Sequence, residues 1–89
     1  MPKRYDVLFT ERAKNQFEKL DKYNAGMILN WIRKNLVGCE DPRAKGKALV
    51  GNLEGWRYRV GDYRILAEIR DGEVLILVVE VGHRREIYR

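Results

Sequence analysis

Gly55-Trp56-Arg57-Tyr58-Arg59-Val60-Gly61-Asp62-Tyr63-Arg64 is the stretch that decides how this chain folds. Aromatic and β-branched residues alternate with arginines up to Gly61-Asp62, and the pattern reads as two strands joined at that dipeptide. Alternate side chains of a strand share a face, so Arg57 and Arg59 point the same way. With Gly61-Asp62 as the whole loop, Val60 pairs with Tyr63 and Arg59 falls directly opposite Arg64. Like charges facing each other across a ladder are mildly destabilising. A sequence that keeps such a cluster has an anion to put there. Downstream, Gly82-His83-Arg84-Arg85-Glu86-Ile87-Tyr88-Arg89 adds more cations, the single histidine and a near-terminal tyrosine. Together these stretches predict a phosphate-handling, RNA-directed surface.

The flanking sequence completes the architecture. Tyr5, Val7 and Phe9 alternate with Asp6 and Leu8 as a short strand. Thr10 offers an N-cap, with Glu11 in the first turn, where the helix dipole favours a carboxylate. Ala13, Phe17 and Leu20 make one apolar stripe at i, i+4 and i+7, and this helix is expected to stop near Asp21. A second helix follows, with Met27, Ile28, Trp31, Ile32 and Leu36 on one face and Gly38 as C-cap before the Asp41-Pro42 loop. Residues 39–54 read as a mobile basic connection tethered by Leu49, Val50 and Leu53. Strands are then expected over about 55–60, 63–70 and 73–82, the last two joined by Asp71-Gly72 as a two-residue hairpin. Val74 to Val79 is apolar on both faces, which predicts a central strand covered on both sides. The order β-α-α-β-β-β gives an α+β fold: two N-terminal helices on one face of a small, mainly antiparallel sheet. Trp56, Tyr58, Val60, Tyr63, Ile65, Ala67 and Ile69 are assigned to the helix side. Arg57, Arg59, Arg64 and Glu68, with Leu66, Leu75, Leu77 and Val79, take the opposite side, a basic concavity with an apolar floor that something must cover when RNA is absent.

Bulk properties narrow the function. Eighty-nine residues make one domain, 1–89, with no room for a second core. Lys and Arg number 18 against 13 Asp and Glu, a net charge of +5 that favours an anionic partner. A single cysteine, Cys39, rules out an internal disulfide framework, suits a reducing compartment and is read as structural or incidental. No signal peptide pattern is present, and no apolar run approaches the ~20 residues of a membrane helix. A soluble cytoplasmic protein without a membrane role is expected. No His/Cys/Asp/Glu group has metal-ligand spacing and no Gly-rich phosphate loop is present, so no metal and no cofactor are expected.

The chain resembles the RelE toxins of the RelE/ParE superfamily. The matching elements are the Tyr5-to-Phe9 strand with Thr10-Glu11-Arg12-Ala13, then Leu49…Leu53…Trp56-Arg57-Tyr58-Arg59, then Gly61-Asp62-Tyr63-Arg64-Ile65, and finally Val81-Gly82-His83-Arg84-Arg85-Glu86-Ile87-Tyr88. This resemblance spans essentially the whole chain. It implies a toxin of a type II toxin–antitoxin system: a ribosome-dependent mRNA endonuclease acting in the A site. In such toxins the substrate 2′-hydroxyl attacks the adjacent phosphate without metal, leaving a 2′,3′-cyclic phosphate and a 5′-hydroxyl. It also implies a RelB-like antitoxin partner beside the ribosome and mRNA. Family site positions fall on Arg57 and Arg59, where many relatives have lysines, and on Arg64, Arg84 and Tyr88. His83 stands where some relatives have lysine and others a catalytic histidine. The segment between Gly82 and Tyr88 looks shorter than in some relatives.

RNA cleavage of this type needs a base for the 2′-hydroxyl, charge stabilisation at the phosphorane, and an acid for the leaving oxygen. Arg64, flanked by Arg57 and Arg59, suits the second task, because a guanidinium fork matches two phosphate oxygens and keeps its charge. His83 is the side chain whose ordinary pKa lies near neutrality, whereas the family precedent leans on the basic cluster and Tyr88. Which group moves the proton stays open. Tyr88 stacks on a splayed base, hydrogen-bonds near the phosphate, or simply packs against the sheet. The expected catalytic set is Arg64, Arg84, Tyr88, His83 and Arg59. Arg57, Lys45, Lys47 and Arg85 are the expected RNA-binding set, with simple solvation as the alternative for the two lysines and electrostatic attraction as the role of Arg85. Two rival functions remain: a ParE-type toxin that poisons DNA gyrase by protein contact, and a non-catalytic RNA-binding or decayed toxin.

Overall fold

The computed structural model describes residues 3–51, 54–83 and 85. Strand β1 (Asp6–Phe9) leads into helices α1 (Glu11–Lys19) and α2 (Lys22–Asn35), followed by β2 (Gly46–Ala48), β3 (Gly55–Val60), β4 (Tyr63–Arg70) and β5 (Leu75–His83). The five strands form one sheet in the order β1-β5-β4-β3-β2. β1 runs parallel to β5, and the other neighbours are antiparallel. Two helices against a mostly antiparallel sheet is the α+β arrangement expected. Among the described residues no helix is long and apolar enough to cross a membrane.

The helix starts follow from side-chain caps. The Thr10 hydroxyl accepts from the Ala13 N–H at 3.1 Å, and an Asp21 carboxylate oxygen accepts from the Asn24 N–H at 3.1 Å. Each satisfies an N–H that has no partner within the helix. Ile28, Ile32 and Leu36 are buried along the inner face of α2, against Tyr58, Val60, Ile65, Ala67, Ile69, Ile76, Val78 and Val81 of the sheet. Burying each of the larger side chains is worth about 1.5–3 kcal/mol relative to leaving it in water. The Trp31 ring meets Tyr58 at 5.6 Å between centroids, which seats α2 over β3. Gly38, with a left-handed φ of 73°, turns the chain after α2 and donates its N–H to the Tyr5 carbonyl at 2.8 Å.

α1 serves as a sheet neighbour as well as a core element. Past Phe9 the edge of β5 loses its β1 partner, and the start of α1 replaces it. The Thr10 N–H donates to the Val78 carbonyl at 3.0 Å, and Gln16 Oε1 accepts the Val81 N–H at 2.7 Å. The backbone groups that an open edge would expose are thereby used.

Four expectations need correction. Residues 39–54 are not structureless, because Gly46–Ala48 forms β2, a fifth strand paired with β3. Val50 is no tether, being fully solvent-exposed, and Leu53 lies outside the described residues. The Asp71-Gly72 connection is not a two-residue hairpin. Arg70 pairs with Leu75 across a 3-10 turn over Asp71–Glu73, closed by Val74 at a φ of +52°. A β-branched residue is rarely found there. Finally, β5 is not covered on both faces by the described residues: Ile76 and Val78 are buried under the helices, but Leu75 and Leu77 stay half-buried on the other side, beside a Leu8 that is 56% exposed.

Candidate phosphate-binding site

The β3–β4 turn has the predicted register. Val60 pairs with Tyr63 and Arg59 with Arg64 across Gly61-Asp62. Gly61 takes a φ of 60°, the left-handed first position that a type II′ turn requires and glycine adopts without strain. The strand pleat then puts Arg57, Arg59 and Arg64 on the face away from the helices. β2 adds to them. Lys47 stands directly opposite Arg57, so its side chain joins the same face. A cleft of about 400 Å³ results, lined by Lys45, Lys47, Arg57, Arg59 and Arg64 with Ala44, Gly46 and Tyr58. Arg59 is exposed at its rim, Arg57 is half-buried, and Arg64 is buried at its floor with 7% of its surface accessible. Arg64 Nη1 donates to the Tyr63 carbonyl at 3.3 Å. A guanidinium held in place and shielded from water attracts an incoming phosphate more strongly than one in bulk solvent.

Residues that the sequence did not single out fix the β2 wall. Gly46 packs so closely on β3 that a Cβ there would lie 2.2 Å from the Arg57 carbonyl oxygen and 2.8 Å from side-chain atoms of Trp56 and Tyr58. Just before it, Arg43 grips Asp71 through Nη1 and Nη2 at 3.1 and 2.9 Å and lies over the Trp56 ring at 5.7 Å. The Tyr5 hydroxyl donates to the same carboxylate at 2.7 Å. Hydrogen bonds from Arg43, then Tyr5, hold the Asp71 carboxyl below the ordinary carboxylate range. The buried Tyr58 hydroxyl donates to the Pro42 carbonyl, and burial pushes its phenol up, so it remains a donor. Segment 42–48 is anchored at both ends. No local sequence pattern announces these long-range contacts, although an isolated glycine between two lysines was a visible hint of close backbone approach.

His83 is not brought into this cluster. Leu66 pairs with Glu80 but Ala67 with Val78, so one extra residue in β5 makes a bulge. The bulge inverts the alternation beyond it. Val81 and His83 therefore share the helix side with Ile65 and Tyr63, and the His83 ring makes an edge contact with Tyr63 at 5.6 Å. Its Nδ1 accepts the Arg85 N–H at 3.3 Å, and Arg85 is exposed. Arg84 and Tyr88, like Arg89, lie outside the described residues. Cys39 is half-buried, and burial raises its thiol pKa; its carbonyl accepts the Tyr5 N–H at 2.9 Å. Among the described residues no three His, Cys, Asp or Glu side chains are grouped to hold a metal ion.

Comparison with known proteins agrees with this fold. The model of the family described as "ParE toxin of type II toxin-antitoxin system, parDE" matches residues 7–88. Toxin RelG of Mycobacterium tuberculosis is 31% identical over 86 residues, which cover 96% of this chain and 97% of the relative. Toxin RelE of the same organism is 29% identical, with 96% and 87% covered. The fold superposes on the M. tuberculosis toxin–antitoxin complex RelBE2 with a TM-score of 0.80 at 28% identity, covering 91% of this chain and 92% of the other. The chain is a RelE-family member of the RelE/ParE superfamily, a toxin of a type II toxin–antitoxin system.

Proposed function

We propose that this toxin is a ribosome-dependent endoribonuclease that cuts mRNA in the A site. The observation that carries the reading is the cleft in which Arg59 faces Arg64 beside Arg57, Lys45 and Lys47. The substrate 2′-oxygen attacks the adjacent phosphorus and loses its proton, while the P–O5′ bond breaks and the 5′-oxygen gains one. Charge builds on the non-bridging oxygens, and Arg64 with Arg59 stabilises it. Arg84 and Tyr88, carried over from the family pattern, are proposed to complete the set, and His83, whose ring lies against Tyr63, is left out of it in this reading. In this reading the ribosome holds the mRNA in an attack geometry that the toxin's cleft does not impose alone. The relatives bear RelG and RelE names, which favours this reading over gyrase poisoning.

The partner is proposed to be a RelB-like antitoxin, since a solved neighbour is a toxin–antitoxin complex. Leu8, Leu75 and Leu77 on the open face give such a partner apolar surface to cover. The deciding experiment is cleavage of one mRNA by purified toxin with and without programmed ribosomes, mapped by primer extension. Cuts confined to the A-site codon and appearing only with ribosomes are expected. No cleavage by folded protein in either condition, with inhibition in a gyrase supercoiling assay, would overturn the proposal.

A further inference from the structure

The cations of the cleft are arranged in rungs. Arg59 lies opposite Arg64, and two residues along the same strand Arg57 lies opposite Lys47. The first pair bridges β3 and β4 and the second bridges β2 and β3, so the rungs are offset by about 6.6 Å along β3 and by one strand spacing, about 4.8 Å, across it. Long arginine and lysine side chains leaning over β3 bring the two pairs within the span of neighbouring phosphates on one nucleic-acid strand. Each rung offers a pair of cations from adjacent strands, and a single phosphate can be gripped from both sides by such a pair.

Carboxylates bound the row. The next rung along β3 pairs Gly55 with Glu68, which is held by Arg70 at 3.0 Å. At the other end stands the exposed Asp62 of the turn. Glu80, on the same face and in line with the Lys47–Arg57 rung two strands away, is engaged by Arg12 at 3.0 Å. The outer rung is built rather than incidental. Gly46 lets β2 sit against β3, and the Arg43–Asp71 contact anchors the chain leading into it.

From this arrangement we propose that the cleft holds two consecutive phosphates of one RNA strand that crosses β3 obliquely, from its β4 side to its β2 side. Arg59–Arg64 takes the scissile phosphate and Lys47–Arg57 its neighbour, and the described residues offer no third facing pair of cations. The inference deepens the proposed function and rests on the same cleft, so its test reads binding rather than cleavage.

The probes are abasic 2′-O-methylribose oligomers with one, two or three internal phosphates. They lack both the attacking hydroxyl and any base to stack. Affinity is followed by NMR titration of amide shifts across a range of salt. For the wild-type toxin, the second phosphate tightens binding about fivefold to tenfold and steepens the salt slope by about 0.7. The third adds less than about twofold. Lys47→Ala removes the step from one phosphate to two, and Lys47→Arg restores it.

Three results would overturn the proposal: no step in wild type, a step that survives Lys47→Ala, or no binding by any oligomer. If the step is present and Lys47-dependent while ribosome-dependent cleavage is absent, the seats stand and only the catalytic reading falls. Cleavage without the step has the opposite meaning.

Discussion

Arg64 combines burial with a charge it cannot give up, and those two properties set what its replacement does. Arg64→Lys keeps the charge but loses the planar fork. Arg64→Ala loses both, and is expected to lower A-site cleavage by about 100-fold or more, the usual cost of removing a preorganised stabiliser of developing charge. The lysine variant falls between. Single-turnover cleavage on programmed ribosomes checks this, with circular dichroism to establish that the variants fold. An alanine variant cutting at near wild-type rate would remove Arg64 from the site. His83→Gln is expected to change cleavage by less than about threefold, because its ring rests on Tyr63 on the opposite face. A hundredfold loss would mean that the imidazole reaches the substrate after all. The facing of Arg59 and Arg64 was legible in the sequence because a two-residue turn leaves only one register. The side taken by His83 was not, because a single extra residue between Leu66 and Ala67's partners reverses it and no residue in Val78-Val79-Glu80 marks the place.

Element-scale effects centre on β2 and its anchors. Gly46→Ala forces a Cβ into the Arg57 carbonyl, and backbone on β3 cannot yield as a flexible side chain would. Destabilisation of about 1–3 kcal/mol is expected, as for overpacking elsewhere, together with weakened RNA binding as Lys45 and Lys47 shift. A urea midpoint equal to wild type would show that β2 is not seated on β3 in this way.

Asp71 offers a test with a sign. Its folded carboxyl titrates below the ordinary value of 3.8 because Arg43 and Tyr5 donate to it. The ionised form is therefore the one that stabilises the fold, fully above 3.8 and progressively less as pH falls through the lowered folded value. Asp71→Asn is expected to be less stable than wild type at neutral pH, by under about 1 kcal/mol because the ion pair is half open to solvent. That gap should close on acidification below 3.8. A gap that stays constant with pH would assign the loss to packing rather than to charge. The strand itself escaped sequence reading for a physical reason. Three residues, Gly46-Lys47-Ala48, are too few to display a period, and their pairing is stabilised by Arg43, Tyr5 and Tyr58, which are remote in sequence or lie outside the strand. The long amphipathic helix α2, by contrast, announced its buried face at Ile28, Ile32 and Leu36.

Across the whole molecule, the charge that the proposed function assigns to RNA also works against the fold. A net charge of +5 with five cations lining one cleft puts like charges together in the unliganded protein. Each facing pair costs a few tenths of a kcal/mol. Added salt screens that repulsion over roughly 10 Å at 0.1 M. It also removes the counterion-release gain when the same cations meet phosphate. Stability and binding must therefore respond to sodium chloride in opposite directions. Between about 50 and 300 mM, the melting temperature of the free toxin should rise by a few degrees, since about 1 kcal/mol corresponds to 4–8 °C in a domain of this size. Over the same range, RNA affinity should fall by tenfold or more. Lys47→Gln should mimic salt on both counts, with a higher melting temperature, weaker binding and a flatter salt response in each. If the melting temperature falls or stays level while binding weakens, the cleft is not under electrostatic strain in the free protein. The stability that function costs would then have to be sought elsewhere, at the left-handed Val74 of the 3-10 turn.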